Sequence, residues 1–300
     1  MSDMHHARRP FSMTRVPSLY PTLHMNVQQS SSTGEADALT ARVRSTWTSG
    51  DFGRIARSYE RGAAEFIARL GLEPGDEVLD VACGTGNLAL PAARAGATVT
   101  GVDIAPNLIS QAKARAVEEK QSILFDVGDA EALDYADDEF HVAVSMFGAM
   151  FAARPERAAG ELLRVVRPGG RIAMANWTPM GFIGEMLKTT QHYAPAPAGV
   201  FSPLQWGTDY AVHERLGPGA RSIETRQRLI TLEFPFDPVA VVNEFITWYG
   251  PTLRAYASLD FAGRNALRGD LEKLWGENNR ASDGTTYVES EYLEVVVTVR

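Results

Sequence analysis

Short apolar segments alternate with stretches of helical periodicity between residues 39 and 177. This alternation is typical of β-α units, whose strands are buried in a parallel sheet with helices on both faces. Five strands are predicted in this part of the chain, at residues 77–81, 98–102, 122–127, 141–146 and 171–176. The sequence therefore predicts an α/β fold built on an open, mostly parallel sheet.

Helices are predicted between the strands, at residues 63–70, 107–119 and 155–166. Pro106 suits the first turn of the second helix, and the segment Pro168-Gly169-Gly170 is expected to end the third with a tight turn. Two later strands, at residues 223–234 and 292–299, bring the sheet to seven. The segments 178–219 and 237–282 interrupt the alternation and are predicted to form helical insertions that act as a lid.

The N-terminal residues 1–38 are predicted to be a disordered tail. They mix three arginines with Ser, Pro and Gln, and they contain no apolar segment of a secretory signal. A mitochondrial transit segment and an internal start at Met25 are the alternatives. Residues 39–300 are predicted to form a single domain.

The composition narrows the class of protein. A chain of 300 residues that is 45% hydrophobic can bury a large core. A net charge of -8 would repel a phosphate backbone, so a nucleic acid is not an expected partner. The single cysteine, Cys83, excludes an internal disulfide and a thiolate zinc cluster. No apolar stretch of the sequence is long enough to cross a membrane. We expect a soluble, cytoplasmic monomer or homodimer without a metal.

The loop after the first strand, residues 80–86, carries the first candidate site. Gly84 and Gly86 follow a strand end, where glycines and a helix N-terminus admit a ligand in Rossmann-like folds. The run 84–89 also satisfies G-x-G-x-x-A, so the glycines alone leave NAD and S-adenosylmethionine open. Asp80 would face an anionic pyrophosphate unfavourably but would complement ammonium and sulfonium charges. Charge therefore favours S-adenosylmethionine.

Two more carboxylates follow the next two strands. Asp103 lies 19 positions after Gly84, at the spacing from which a carboxylate accepts the hydroxyls of a ribose. Asp129 is suited to accept a hydrogen bond from the amino group of adenine, and the Ala130 amide is suited to donate one to the adenine ring. Three acids at successive strand ends indicate S-adenosylmethionine more specifically than any one of them does. Cys83, between them, is interpreted as a small buried spacer.

At these motifs the sequence resembles the class I S-adenosylmethionine-dependent methyltransferases, especially the broad group with the ubiquinone and menaquinone C-methyltransferases. The resemblance covers about residues 46–178, through the segments 78–86, 102–105, 128–133 and 162–171. It implies a seven-stranded sheet with the last strand antiparallel. The residues then expected to bind the cofactor are Tyr59, Asp80, Ala82, Gly84, Gly86, Asp103, Ile104, Asp129, Ala130, Ser145 and Met146. Ala82 replaces the first glycine of the family's loop and is expected to take a negative φ.

The expected reaction is in-line methyl transfer to a small molecule, which needs a general base only if the acceptor loses a proton. His192, Tyr193 and His213 are weak candidates for that base, since a surface or packing role is favoured for each. His141 is excluded because it begins a strand. Eight soft and aromatic side chains are candidates for the wall of the acceptor site, although core packing is the usual role of such residues. If several of them face the cleft, they favour an apolar or aromatic methyl acceptor; they are Met146, Phe147, Met150, Phe151, Trp177, Trp206, Trp248 and Tyr249.

Two alternatives to a methyltransferase stay open on the sequence. An NAD-dependent oxidoreductase would share the glycine loop and Asp103, but it would leave Asp80 and Asp129 without a purpose. A non-catalytic, regulatory protein that binds S-adenosylmethionine would keep the whole cofactor site, since a fold does not guarantee activity. The fourth strand ends without the Asn/Asp-Pro-Pro-Tyr/Phe motif, with which related enzymes hold a planar amide or an exocyclic amine. Methylation of DNA adenine or of protein glutamine is therefore less expected.

Overall fold

The computed structural model describes residues 27–196 and 200–300. The chain divides into two compact units, Met1–Ala38 and Leu39–Arg300, and the sheet lies in the second. Of the predicted tail, residues 1–26 lie outside the described residues. The first helix, α1, spans Val27–Thr48 and so begins within the segment that was predicted to be a tail.

Seven strands form one sheet in the order β3-β2-β1-β4-β5-β7-β6. The strands are β1 (Glu77–Val81), β2 (Thr98–Asp103), β3 (Ile123–Val127), β4 (Phe140–Met146), β5 (Val166–Trp177), β6 (Ala220–Phe234) and β7 (Thr286–Val299). Strands β1 to β5 are mutually parallel, and β7 runs antiparallel to both β5 and β6. The predicted seven-stranded Rossmann-like sheet with an antiparallel last strand is confirmed.

Strand burial follows position in the sheet. The central strand β4 is buried at six of its seven residues, as its continuous apolar sequence requires, whereas the edge strand β3 is buried at Phe125 alone. Strands β5, β6 and β7 are longer than predicted. The register between β4 and β5 shifts near Gly169, whose φ is 79°. Strand β6 pairs with β7 from Ala220 to Phe234, and its many charged residues hid the alternation that predicts a strand.

Helices surround the sheet. They are α2 (Phe52–Ala56), α3 (Glu60–Leu70), α4 (Ala89–Arg94), α5 (Pro106–Glu118), α6 (Pro155–Val165), α7 (Phe182–Tyr193), α8 (Asp209–Leu216), α9 (Pro238–Trp248), α10 (Gly250–Ser258) and α11 (Phe261–Asn278). Both predicted insertions are helical where the structure describes them: α7 and α8 lie in the first, and α9 to α11 in the second.

One continuous apolar core joins these elements. Its largest fully buried side chains come from the sheet and from the insertions alike, as Leu79, Trp206 and Trp275 show. Within the described residues, no helix is long and apolar enough to span a bilayer. In the same part of the chain, no group of three or more His, Cys, Asp or Glu side chains is placed to hold a metal ion.

Candidate cofactor and acceptor site

The strand order creates a crevice at the carboxyl ends of β1 and β4. From β1 the chain builds outward through β2 and β3, and it then returns to add β4 and β5 on the other side. Open α/β sheets bind ligands at such a reversal. A cleft of about 890 Å³, its open mouth included, lies at this point of the structure.

The loop after β1 folds tightly over the strand ends. The backbone N–H of Cys83 donates to the carbonyl of Val102 at 3.0 Å, and the N–H of Gly86 donates to the carbonyl of Cys83 at 2.9 Å. Gly84 and Gly86 have φ values of 55° and 83°, which explains why glycine stands at both positions. Burial raises the pKa of the Cys83 thiol, which agrees with its interpretation as an inert spacer.

Ala82 departs from the expectation. Its φ is 56°, in the left-handed region, so the predicted negative φ was wrong. The chain must turn sharply here because Gly148 packs directly against Ala82, and a Cβ on Gly148 would lie 2.6 Å from the Ala82 carbonyl oxygen. The position needs the conformation that the family's usual glycine adopts freely, and alanine adopts it at a cost of about 1–2 kcal/mol.

Asp80 is a buried carboxylate, 1% exposed, at the base of this loop. Its Oδ2 accepts the N–H of Ala89 at 3.0 Å, and no described Lys or Arg pairs with it. Burial raises the pKa of Asp80 well above its usual value; the hydrogen bond from Ala89 lowers it in part, and the nearby Asp103 raises it further. A buried charge without a partner is costly. The electrostatics therefore fit a ligand that carries a positive charge.

Asp103 ends β2 at the wall of the same cleft. Its Oδ2 accepts the N–H of Gly84 and its Oδ1 accepts the N–H of Ala105, both at 2.8 Å. Burial raises the pKa of this carboxyl group, although the two hydrogen bonds lower it. Each oxygen keeps acceptor capacity after these bonds. The carboxylate is therefore held in place with room to accept ligand hydroxyls.

Asp129 lies at the other end of the cleft, in a network that reaches α1. Its Oδ1 accepts the N–H of Glu131 at 3.0 Å, and its Oδ2 accepts the hydroxyl of Thr40 at 3.2 Å. Arg154 pairs with Glu131 and also donates from Nη2 to the Thr40 hydroxyl oxygen at 3.2 Å. Helix α1 is thus connected to this carboxylate through one threonine.

The structure brings most of the predicted cofactor residues together. Nine of them line the cleft: Tyr59, Asp80, Ala82, Gly84, Asp103, Ile104, Asp129, Ala130 and Met146. Gly86 and Ser145 do not line it. Gly86 shapes the loop, while the Ser145 hydroxyl donates to the carbonyl of Val81 at 2.8 Å and accepts the N–H of Ala149 at 3.0 Å. These two residues support the cleft from below.

A second cavity adjoins the cleft. Its walls are almost entirely aromatic and aliphatic: Trp47, Phe52, Ile55, Tyr59, Phe147, Phe151, Trp177, Ile183, Met186, Leu232, Phe245 and Tyr249. Five residues line both spaces, namely Trp47, Phe52, Tyr59, Phe147 and Phe151. The Phe147 and Trp177 rings stack with their centroids 3.5 Å apart. We call this second space the aromatic cavity.

The side chains expected to form the acceptor wall divide into two groups. Phe147, Phe151, Trp177 and Tyr249 line the aromatic cavity, and Met146 lines the cleft. The other three line neither space, so their assignment to the acceptor wall was wrong. Met150 is buried in the core, the Trp206 ring lies under the guanidinium of Arg215, and the Trp248 ring lies under the guanidinium of Arg54.

The three candidate bases also lie elsewhere. His192 and His213 are exposed, and the Tyr193 hydroxyl donates to the carboxylate of Asp270. None of the three lines the cleft or the aromatic cavity. The favoured surface or packing role fits these positions, since both histidines are exposed and the Tyr193 hydroxyl is bonded to Asp270.

Sequence reasoning missed the contribution of α1 and one supporting arginine. Thr40, Val43 and Trp47 of α1 line the cleft, although their segment carries no motif. Arg115 donates from Nη1 to the Thr85 carbonyl at 3.0 Å and to the Asn87 side-chain oxygen at 2.8 Å, so it fastens the outside of the loop. Its spacing on α5 gave no signal that distinguishes it from a solvated helix residue.

Comparison with known proteins identifies the family and its cofactor. A model of the methyltransferase domain family matches residues 79–174, a stretch that contains Asp80, Asp103 and Asp129. The demethylmenaquinone methyltransferase of Renibacterium salmoninarum is 38% identical over 112 residues, which cover 37% of this chain and 46% of that enzyme. The chain belongs to the class I S-adenosylmethionine-dependent methyltransferases. The cofactor of this family is S-adenosylmethionine, so the nicotinamide alternative is not supported.

Two further likenesses extend beyond the methyltransferase core. An uncharacterized protein of Mycobacterium tuberculosis is 38% identical over 265 residues, which cover 86% of this chain and 94% of that protein. The YcgJ protein from Bacillus subtilis has a TM-score of 0.53 and 16% identity, and the likeness covers 80% of this chain and 98% of that one. The structural likeness shows the methyltransferase fold. The sequence likeness includes the helical insertions that wall the aromatic cavity.

Proposed function

We propose that this methyltransferase transfers a methyl group to a small, apolar or aromatic molecule. The observation that carries the proposal is the aromatic cavity, which shares five lining residues with the cofactor cleft. Asp80, Gly84 and Met146 lie at the end of the cleft expected to hold the methionine part. An acceptor in the aromatic cavity would therefore lie next to the group to be transferred.

The chain's own residues bind and orient. When bound, S-adenosylmethionine supplies an activated methyl group, which leaves its sulfur by in-line displacement. Asp80 complements the positive charge, Asp103 accepts the ribose hydroxyls, and Asp129 with the Ala130 amide holds the adenine. The aromatic rings exclude water and fix the acceptor. Positioning of this kind supplies roughly 7–11 kcal/mol of a reaction barrier.

Turnover with a panel of acceptors tests this function. The purified protein is incubated with S-adenosylmethionine and neutral, anionic or cationic small aromatics, and S-adenosylhomocysteine is measured by mass spectrometry. We expect product with neutral aromatics, less product with Asp103→Ala at subsaturating S-adenosylmethionine, and wild-type product with Asp134→Ala, which removes an exposed carboxylate outside both spaces. Turnover restricted to polypeptides or nucleic acids would contradict the proposal, and cofactor binding without any turnover would favour a regulatory protein.

A further inference from the structure

The aromatic cavity contains no charged side chain among the described residues that line it. Its polar groups are the hydroxyls of Tyr59 and Tyr249 and the indole N–H groups of Trp47 and Trp177. The indoles only donate hydrogen bonds, whereas a tyrosine hydroxyl both donates and accepts. A charged acceptor would lose its hydration here without gaining an opposite charge, which is costly. The cavity therefore favours a neutral molecule.

Neither tyrosine hydroxyl has a hydrogen-bond partner within the part of the chain that the structure describes. Neither hydroxyl oxygen is among the buried side-chain atoms that lack both exposure and a hydrogen-bond partner, and both side chains line the aromatic cavity. Burial raises the pKa of Tyr59 and of Tyr249, which keeps both hydroxyls protonated at neutral pH. A buried hydroxyl usually has a partner. A ligand is the natural source of that partner.

The two tyrosines have different positions. Tyr59 lines both the cofactor cleft and the aromatic cavity, whereas Tyr249 lines the aromatic cavity alone. Tyr249 stands between α9 and α10, where its N–H donates to the Phe245 carbonyl at 3.1 Å. Its ring centroid lies 5.9 Å from that of Trp47 and 6.1 Å from that of Phe52. The ring is thus packed against two other rings, and the residue lies on the acceptor side only.

We propose that the Tyr249 hydroxyl recognises the methyl acceptor, and that the acceptor is a neutral, ring-sized molecule whose oxygen or nitrogen hydrogen-bonds to it. This inference rests on the proposed function and specifies its substrate class. The cavity measures about 340 Å³ with its opening included, and eight of its twelve lining side chains are aromatic, so a planar ring can pack against its walls. Tyr249 belongs to the second insertion, outside the 79–174 stretch that the methyltransferase domain family matches.

Three fluorinated probes test the recognition directly. They are 4-fluorophenol, fluorobenzene and 4-fluorobenzoate, which share one ring and differ in a neutral hydroxyl, no head group or a carboxylate. Their dissociation constants for the protein saturated with S-adenosylhomocysteine are measured by ¹⁹F NMR. We expect 4-fluorophenol to bind more tightly than fluorobenzene by a factor of about 3 to 10, the value of one neutral hydrogen bond. Saturable binding of 4-fluorobenzoate is not expected.

The Tyr249→Phe variant removes only the hydroxyl. In it, 4-fluorophenol should bind as weakly as fluorobenzene, while fluorobenzene itself should bind as it does to the wild type. Tyr256→Phe is the matched control, because Tyr256 lies on α10 and lines neither space. It should keep the preference for the phenol.

The wild-type ranking alone can overturn the inference, whatever the variant does. Equal binding of the phenol and fluorobenzene, preferred binding of the carboxylate, or no binding of any probe would each contradict it. Calorimetric titration with S-adenosylhomocysteine separates this failure from that of the proposed function. Cofactor binding without the expected ranking overturns only the role of Tyr249, whereas a protein that does not bind the cofactor overturns both.

Discussion

Replacing Asp80 by asparagine should stabilise the cofactor-free protein and weaken S-adenosylmethionine binding at the same time. Asparagine keeps the shape of the side chain and an oxygen that can accept the N–H of Ala89, which Asp80 Oδ2 accepts at 3.0 Å. What the variant loses is the charge. In the wild type that charge is 1% exposed and has no cationic partner among the described residues.

The stability gain should depend on pH. Burial raises the folded-state pKa of Asp80 well above its unfolded value. The corresponding contribution to stability is therefore present below about pH 4 and is lost as the pH rises through the folded pKa. Asp80→Asn does not suffer this loss, so its advantage should grow with pH. Removal of an unpaired buried charge is worth on the order of 1–2 kcal/mol, or roughly 2–8 °C in melting temperature.

Binding supplies the second half of the prediction. S-adenosylmethionine carries a sulfonium charge that S-adenosylhomocysteine lacks, so Asp80→Asn should weaken S-adenosylmethionine binding about tenfold more, or about 1.4 kcal/mol. Urea unfolding from pH 5 to 9 and calorimetry with both ligands measure the two effects. Asp134→Asn makes the same change of charge at an exposed position and serves as the control. Equal losses for both ligands, or a stability difference that does not change with pH, would refute the reasoning.

Three further changes test the loop and its surroundings. Asp103→Ala removes the acceptor of the Gly84 and Ala105 N–H groups, so S-adenosylhomocysteine affinity should fall by about 1–3 kcal/mol in calorimetry; unchanged affinity would contradict the ribose assignment. Ala82→Gly should raise the free energy of unfolding by about 0.5–1 kcal/mol, because it relieves the left-handed φ at some cost in chain entropy. The control Ala114→Gly, on the exposed face of α5, should lower the free energy of unfolding by a similar amount. Equal signs in denaturant titrations would exclude that explanation. Thr40→Val removes the hydrogen bonds to Asp129 and from Arg154, so S-adenosylhomocysteine should bind about 3 to 10 times more weakly. Ser45 lies on the same helix but bonds to Arg254 instead, so the Ser45→Ala variant should bind S-adenosylhomocysteine as the wild type does. A loss of equal size in both variants would point to a general loosening of α1.

The sheet and the three carboxylates were predictable because their signals are local. Each parallel strand includes a short apolar segment, and the predicted bounds of β1 agree with the structure residue for residue. The carboxyl ends of neighbouring parallel strands share one edge of a sheet. Once the strands were assigned, Asp80, Asp103 and Asp129 had to lie along that edge. The positions of the strand ends were therefore enough to predict that the three carboxylates lie along one edge of the sheet.

The acceptor side was not predictable in the same way. Trp47 and Tyr249 lie about two hundred positions apart in sequence, yet their ring centroids are 5.9 Å apart. No periodicity indicates which aromatic residues of an insertion face a cavity and which, like Trp206, enter the core. The left-handed φ of Ala82 likewise depends on how closely Gly148 approaches from β4. These features arise from tertiary packing, which short-range patterns do not encode.

Two of the four non-glycine residues with a positive φ in the described part of the chain lie where β1 and β4 end. Ala82 and Phe147 both have left-handed φ values, 56° and 54°, and the buried charge of Asp80 lies beside them. Neighbouring structure holds this strain in place, since the Phe147 N–H donates to the Ala175 carbonyl at 2.9 Å and its ring stacks on Trp177. Strain and an unpaired charge at one point lower the stability of the free protein. A cationic ligand that contacts Asp80 offsets the cost of the buried charge, so the cofactor-bound state should be more stable than the free one.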